Sequence, residues 1–114
     1  MIIKNLTQGK VLADKVIIAR SFKSRLQGLI GKQSLEKNAA LVLPNCNGIH
    51  TFFMRFPIDV LFLDAQGKAV GKIEALAPFR ISPVFWSAKT AIEFPPQTIK
   101  NSASQIGDII RIEP

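Results

Sequence analysis

The stretch Ile58-Asp-Val-Leu-Phe-Leu63 constrains this chain more than any other. Side chains alternate across a β-strand, so a strand with one wet face carries polar residues at every second position. Here both alternating faces are apolar, which predicts a strand covered on both sides. Pro57 has no amide hydrogen to give to a ladder, so it marks the start of that strand or a bulge. Asp59 is the exception within the run. A carboxylate among such neighbours is partly buried and needs a partner. Arg55 is the nearest candidate by sequence, and in an extended chain it shares the parity of Asp59.

Other elements assemble around this strand. Ile2-Ile3 and Val11 to Ala19 read as strands, with Gln8-Gly9-Lys10 as a hairpin turn between them. Ala39 to Leu43 is a short apolar strand stopped by Pro44. Asp64 to Lys68 is a hairpin connection, and Val70 to Leu76 returns as the partner of the central strand. Thr90 to Phe94 and Ile109 to Ile112 complete the set, with a short helical turn around Thr98 to Ser104. Ser21 offers an N-cap oxygen, and Phe22, Leu26, Leu29 and Ile30 follow at helical spacing up to a Gly31 cap. The expected fold is α+β: a compact β-rich single domain over 1–114, with one main helix near residues 21–30. Its six or seven mostly antiparallel strands form a strongly bent sheet or a partly open barrel.

Composition narrows the function classes. The chain has 114 residues, enough for one domain with a real core and too few for two comfortable ones. A hydrophobic content of 47% excludes a disordered chain. The net charge of +7 invites a nucleic-acid or anionic-surface reading. The basic residues of the first third (Lys4, Lys10, Lys15, Arg20, Lys23, Arg25, Lys32, Lys37) are scattered, and no aromatic stacking motif stands beside them, which argues against nucleic acid. Cys46 is the sole cysteine, so no intrachain disulfide is expected. No apolar stretch is long enough for a signal peptide or a membrane span, and a cytoplasmic protein is expected. Sequence does not fix the oligomeric state.

Four groups of residues bear on chemistry. Cys46 and His50 stand close enough for a thiolate activated by imidazole, although the spacing does not require contact. One Cys and one His cannot assemble a structural zinc site, so no metal is expected. His50, Arg55, Asp59 and Asp64 form a polar constellation on an apolar wall. Its functional reading is a pocket in which Arg55 takes an anionic group. Its structural reading, which is preferred, is a buried Arg55–Asp59 ion pair that fixes the start of the strand. Arg80, Phe85 and Trp86 lie on a Pro-rich loop, Pro78 to Trp86, read as a packed lid in preference to an open recognition surface. Glycine-rich phosphate loops, serine nucleophile elbows and paired catalytic carboxylates are absent from the sequence, so no cofactor is expected.

The leading expectation is therefore a non-enzymatic binding or accessory module. Its candidate binding residues are His50, Arg55, Asp59, Arg80 and Trp86, with Cys46 as a reactive thiol, and its partner is a protein or a small anionic ligand. The alternatives are an enzyme using Cys46 or His50, and anion or nucleic-acid binding by the basic first third.

Three blocks carry a resemblance. Arg25-Leu-Gln-Gly-Leu-Ile-Gly-Lys-Gln-Ser-Leu35 is similar to an Arg-x-x-Gly-Leu-Met-Gly-Arg-x-x-Leu pattern. His50 to Asp64 resembles a Phe-Trp-Met-Lys/Arg…Pro-Leu/Ile-Asp…Phe-Ile/Leu-Asp core. Ala91-Ile-Glu-Phe-Pro-Pro96, followed by Gly107-Asp108, resembles a Leu-Glu-Leu-Pro-x-Gly…Gly-Asp ending. Together they resemble the domain-of-unknown-function family one hundred and ninety-two. The resemblance implies a compact β-rich α+β domain and no established activity. The resemblance also implies that some relatives are exported with a leader, and none is expected here. The chain departs from the pattern at Pro96-Gln97, where Pro-x-Gly is usual, and at Ile30 and Lys32, where Met and Arg are common.

Overall fold

The computed structural model describes residues 1–20, 35–52 and 54–114. The expected helix at 21–30 lies outside the described residues. Eight strands are present among them: β1 (Ile2–Asn5), β2 (Lys10–Ala13), β3 (Lys15–Ile18), β4 (Ala39–Pro44), β5 (Ile58–Leu63), β6 (Ala69–Leu76), β7 (Thr90–Phe94) and β8 (Ile110–Glu113). One short helix, α1 (Thr98–Ser102), precedes β8.

The strands form two sheets, β2-β1-β8 and β3-β4-β7-β5-β6. All pairings are antiparallel except β3 with β4. The expected β-rich, mostly antiparallel single-domain fold is what the structure shows, and the described residues sharpen its strand count and sheet division. There are two separate sheets, not closed into a barrel, and the count is eight. Asp14 is the reason. Val11 to Ala19 reads as one strand, but the chain turns at Asp14. The amides of Asp14 and Lys15 both donate to the Asn38 carbonyl, at 3.0 Å each. Before this point β2 pairs with β1, and after it β3 runs beside β4 in the other sheet.

The larger sheet is covered on both faces, which accounts for the doubly apolar β5. Leu61 and Leu63 turn to a core shared with Ile3, Leu12, Ile92 and Phe94. Ile58, Val60 and Phe62 turn to a second core with Leu41, Ile49, Met54, Phe56 and Ala91. All six β5 residues are buried. Burying a side chain of the size of Phe62 or Phe94 contributes roughly 1.5–3 kcal/mol each.

Asp59 locks this arrangement. It is only 1% exposed. Its Oδ1 accepts from the Ala75 amide and its Oδ2 from the Ile99 amide, both at 2.9 Å. Ala75 sits in the left-handed region at φ 52°, where the β5–β6 register shifts. One carboxylate thus holds a bulge in β6 and caps α1, whose own N-cap residue Gln97 provides no side-chain bond. The expected Arg55–Asp59 ion pair is absent: Arg55 is exposed, and backbone amides take both Asp59 oxygens. An amide donor satisfies a buried carboxylate without burying a second charge, so the cation is not needed.

The chain ends are joined by a second polar knot. Asn5 is fully buried, and its Nδ2 donates to Asp108 Oδ2 at 2.9 Å and to Ser104 Oγ at 3.0 Å. Gln8 Nε2 and the Gln105 amide also donate to Asp108 Oδ2. No helix among the described residues is long and apolar enough to cross a membrane.

Candidate functional site

Two loops on the second core, residues 45–57 and 77–89, carry most of the residues whose chemistry asks for an explanation. They are laced together by backbone. The Thr51 amide donates to the Arg80 carbonyl at 2.8 Å, and the Phe79 amide donates to the Thr51 carbonyl at 3.0 Å. Thr51 Oγ1 accepts from the Arg80 amide at 2.9 Å and donates to the Ala77 carbonyl at 2.7 Å. Thr51 is fully buried, so these bonds form away from water. Further along, the Ile49 amide donates to Ser82 Oγ and the Ser82 amide donates to the Ile49 carbonyl, each at 2.9 Å. His50 and Ile81 form a bridge between these two pairs. The Phe85 amide closes the ladder on the Asn47 carbonyl at 2.8 Å.

The ladder presents an unusual surface. Trp86 is 83% exposed, Ile81 71% and Phe79 60%, with Phe52 and Val84 also exposed. Phe79 holds φ 60°, a conformation that is costly for a bulky residue and persists only where the surroundings impose it. The lid reading of Arg80, Phe85 and Trp86 therefore holds for one residue only. Phe85 packs against Phe62 at a centroid distance of 4.5 Å and lies so close to β6 that a Cβ at Gly71 would meet its ring at 2.5 Å. Arg80 and Trp86 face solvent.

The predicted site residues separate into two groups. His50 and Arg80 are brought together on the ladder, and Trp86 follows on the same loop. His50 stacks on Phe52 at 4.9 Å, and its Nδ1 accepts the Phe52 amide at 3.3 Å. Arg55 is exposed on the first loop, and neither it nor Arg80 meets a carboxylate among the described residues. Asp59 belongs to the interior of the fold instead. Burial pushes its carboxyl above the ordinary range, more strongly than the amide bonds from Ile99 and Ala75 pull it down. Cys46 is half-buried, and its Sγ lies 3.1 Å from the Gly48 carbonyl. A carbonyl can only accept, so the thiol is the donor in this contact. Among the described residues no cluster of His, Cys, Asp and Glu could hold a metal.

Electrostatically the two loops are one-sided. Residues 45–57 and 77–89 contain no Asp or Glu, while they carry Arg55, Arg80, Lys89 and His50. Sequence reasoning passed over Thr51 and Ser82, which build the ladder, because a lone hydroxyl residue in a loop has no periodic signature. It also passed over Glu93, fully buried in β7 between Leu41 of β4 and Val60 of β5. An acidic residue in the middle of the apolar run Thr90 to Phe94 was the available signal.

Comparison with known proteins adds the following. The model of the family DUF192, described as "Uncharacterized ACR, COG1430", matches residues 3–112. A UPF0127 protein of Thermococcus sibiricus is 34% identical over 110 residues, covering 93% of this chain and 71% of that protein. A UPF0127 protein of Pyrococcus furiosus is 32% identical over 109 residues, covering 91% of each. A crystal structure of a protein of unknown function from Novosphingobium aromaticivorans superposes with a TM-score of 0.81 at 14% identity, covering 97% of this chain and 84% of that one. At that identity the likeness concerns the fold alone.

Proposed function

The chain belongs to the DUF192 family, and from that premise we propose that it is a single-domain, non-enzymatic binding module that takes an acidic, apolar segment of a partner protein. The binding surface is the loop ladder, with Trp86, Ile81 and Phe79 as apolar anchors. Arg80, Arg55 and His50 provide the polar contacts.

The observation that carries this reading is the pairing of exposure with rigidity. Large apolar side chains left in water on a mobile loop lose most of their binding energy to ordering, whereas these project from backbone already fixed by hydrogen bonds. Trp and Arg are the residue types that dominate binding energy at protein interfaces. A surface free of carboxylates selects an acidic partner over a basic one. The enzyme reading through Cys46 draws no comparable support, because the thiol is turned to a carbonyl. A cytoplasmic setting suits a chain with one cysteine.

Trp86 is the sole tryptophan, so its fluorescence reports on the ladder directly. Titration with a synthetic peptide of alternating Glu and Leu is expected to shift its emission to the blue, and a Lys/Leu analogue is not. Anisotropy of the labelled acidic peptide should show binding weakened about tenfold or more by Trp86→Ala or Arg80→Glu. Equal binding of both peptides, or indifference to both substitutions, refutes the proposal. An emission shift produced by raising the protein concentration alone would also refute it, by assigning the surface to a second copy of the chain.

A further inference from the structure

A cleft of about 390 Å³ opens where β2, the turn before β4 and the Pro95–α1 segment meet. None of its lining residues belongs to the loop ladder, so it is a separate place on the molecule. Its volume falls within the ~300–1,000 Å³ typical of small-molecule sites.

We propose that this cleft binds a small amphiphilic organic anion, a carboxylate with an apolar body. The charge argument comes first. Lys10 and Lys37 line the cleft, and no carboxylate lines it among the described residues. Glu36, adjacent to Lys37 in sequence, is held by Lys15 at 2.7 Å. Neither Lys10 nor Lys37 forms an ion pair among the described residues, so both ammonium groups are available to a ligand. Asn38 and Asn101 add side-chain amides that make no hydrogen bond among the described residues.

Shape and stiffness provide the apolar half. Val11 is 60% exposed, and Leu12, Pro95 and Pro96 add further apolar lining to the cleft. Proline fixes its own backbone, and the Asn38 carbonyl accepts the Asp14 and Lys15 amides, so two sides of the cleft are held before anything binds. An exposed valine in a cleft that two lysines also line leaves apolar area that water covers poorly and that an alkyl or aryl group would cover well. A phosphate alone would satisfy the lysines and leave that wall wet, and a neutral hydrocarbon would cover the wall and leave the charges unused.

The test is an amide NMR titration of the full chain with sodium octanoate, octan-1-ol and octylammonium chloride in parallel. Octanoate is expected to give saturable shifts at Val11, Lys37 and Asn38, with the alcohol and the ammonium salt giving none at matched concentrations. Reversing both charges, with Lys10→Glu and Lys37→Glu, should weaken octanoate about tenfold, the sum expected of two near-surface ion pairs and their reversal. Lys37→Ala alone gives a smaller loss in the same direction and serves if the double reversal disturbs the spectrum. Trp86→Ala should leave octanoate binding unchanged, which separates this site from the ladder. Equal binding of the alcohol, shifts located elsewhere, or full affinity in the lysine variants overturns the proposal.

Discussion

Gln97 shows how a single residue's conformation reads through to stability. The pattern that this sequence resembles implies Gly at this position, and the chain has Gln. Its φ is 78°, in the left-handed region that glycine adopts freely and other residues adopt at a cost of ~1–2 kcal/mol. Position 97 is also the N-cap of α1, and the Gln side chain makes no capping bond there. The helix takes its cap from Asp59 instead, so nothing is lost by removing the side chain. Gln97→Gly is expected to raise stability by about 0.5–1 kcal/mol, once the extra freedom of glycine in the unfolded chain is subtracted. Urea unfolding of the two proteins measures it, and a loss of stability would mean that the Gln side chain contributes a contact of its own. The departure from the family pattern was legible in the sequence. Its cost was not, because a backbone angle is imposed by the elements on either side.

At the scale of elements, the loop ladder depends on Thr51 more than on any apolar contact. Its hydroxyl both accepts and donates, and valine has the same shape with neither capacity. Thr51→Val would leave the Arg80 amide and the Ala77 carbonyl without their partner, at a cost of about 1–3 kcal/mol. Amide hydrogen exchange should quicken across residues 77–82 while β5 and β7 stay protected, because the strands do not rely on this hydroxyl. Exchange that quickens everywhere would place Thr51 in the global core. The strands themselves were readable: β5 and β7 coincide with the expected Ile58–Leu63 and Thr90–Phe94, since an apolar run bounded by Pro is a local signal. The split of Val11 to Ala19 was not. Asp14 breaks it by way of the distant Asn38 carbonyl, and no local pattern encodes that partner.

Across the whole molecule, two buried carboxylates tie distant parts together and titrate in opposite directions. Asp59 joins β5 to β6 and α1, and burial raises its carboxyl. Asp108 joins the last turn to Asn5 and Gln8 near the N-terminus. Burial pushes it up as well, but bonds from Asn5, the Gln105 amide and Gln8, with Lys72 nearby, bring it below the ordinary value. The signs follow from proton binding. The folded chain holds the Asp59 proton more tightly than the unfolded chain, so this group's contribution falls as pH rises from the ordinary carboxylate value to its raised folded value. Asp108 contributes fully above the ordinary value and loses that contribution as pH falls toward its depressed one. Carboxyl NMR titration should find Asp59 on the high side of an ordinary aspartate and Asp108 on the low side. Unfolding measured across the acidic range should lose its rising limb in Asp108→Asn and its falling limb in Asp59→Asn. Titration of the two at the same pH would contradict the assignment.

The sequence by itself determined where most of the strands lie, though not the break at Asp14, that β5 is covered on both sides, and that Asp59 must be buried and partnered. These follow from alternation and from the cost of an unsatisfied charge, both of which act between near neighbours. Only the tertiary structure decided who the partners are. Arg55, the nearest cation in the chain, was passed over for two backbone amides from β6 and α1, because a bulge and the first turn of a helix supply amides that the ladder and the helix leave unpaired. With Asp59 absorbed into the interior, the polar constellation expected around it came apart. His50, Arg80 and Trp86 were left on a surface whose construction rests on Thr51 and Ser82. Their meeting depends on loops drawn together across the sheet, and pairing at such separations is fixed by the packed core beneath them.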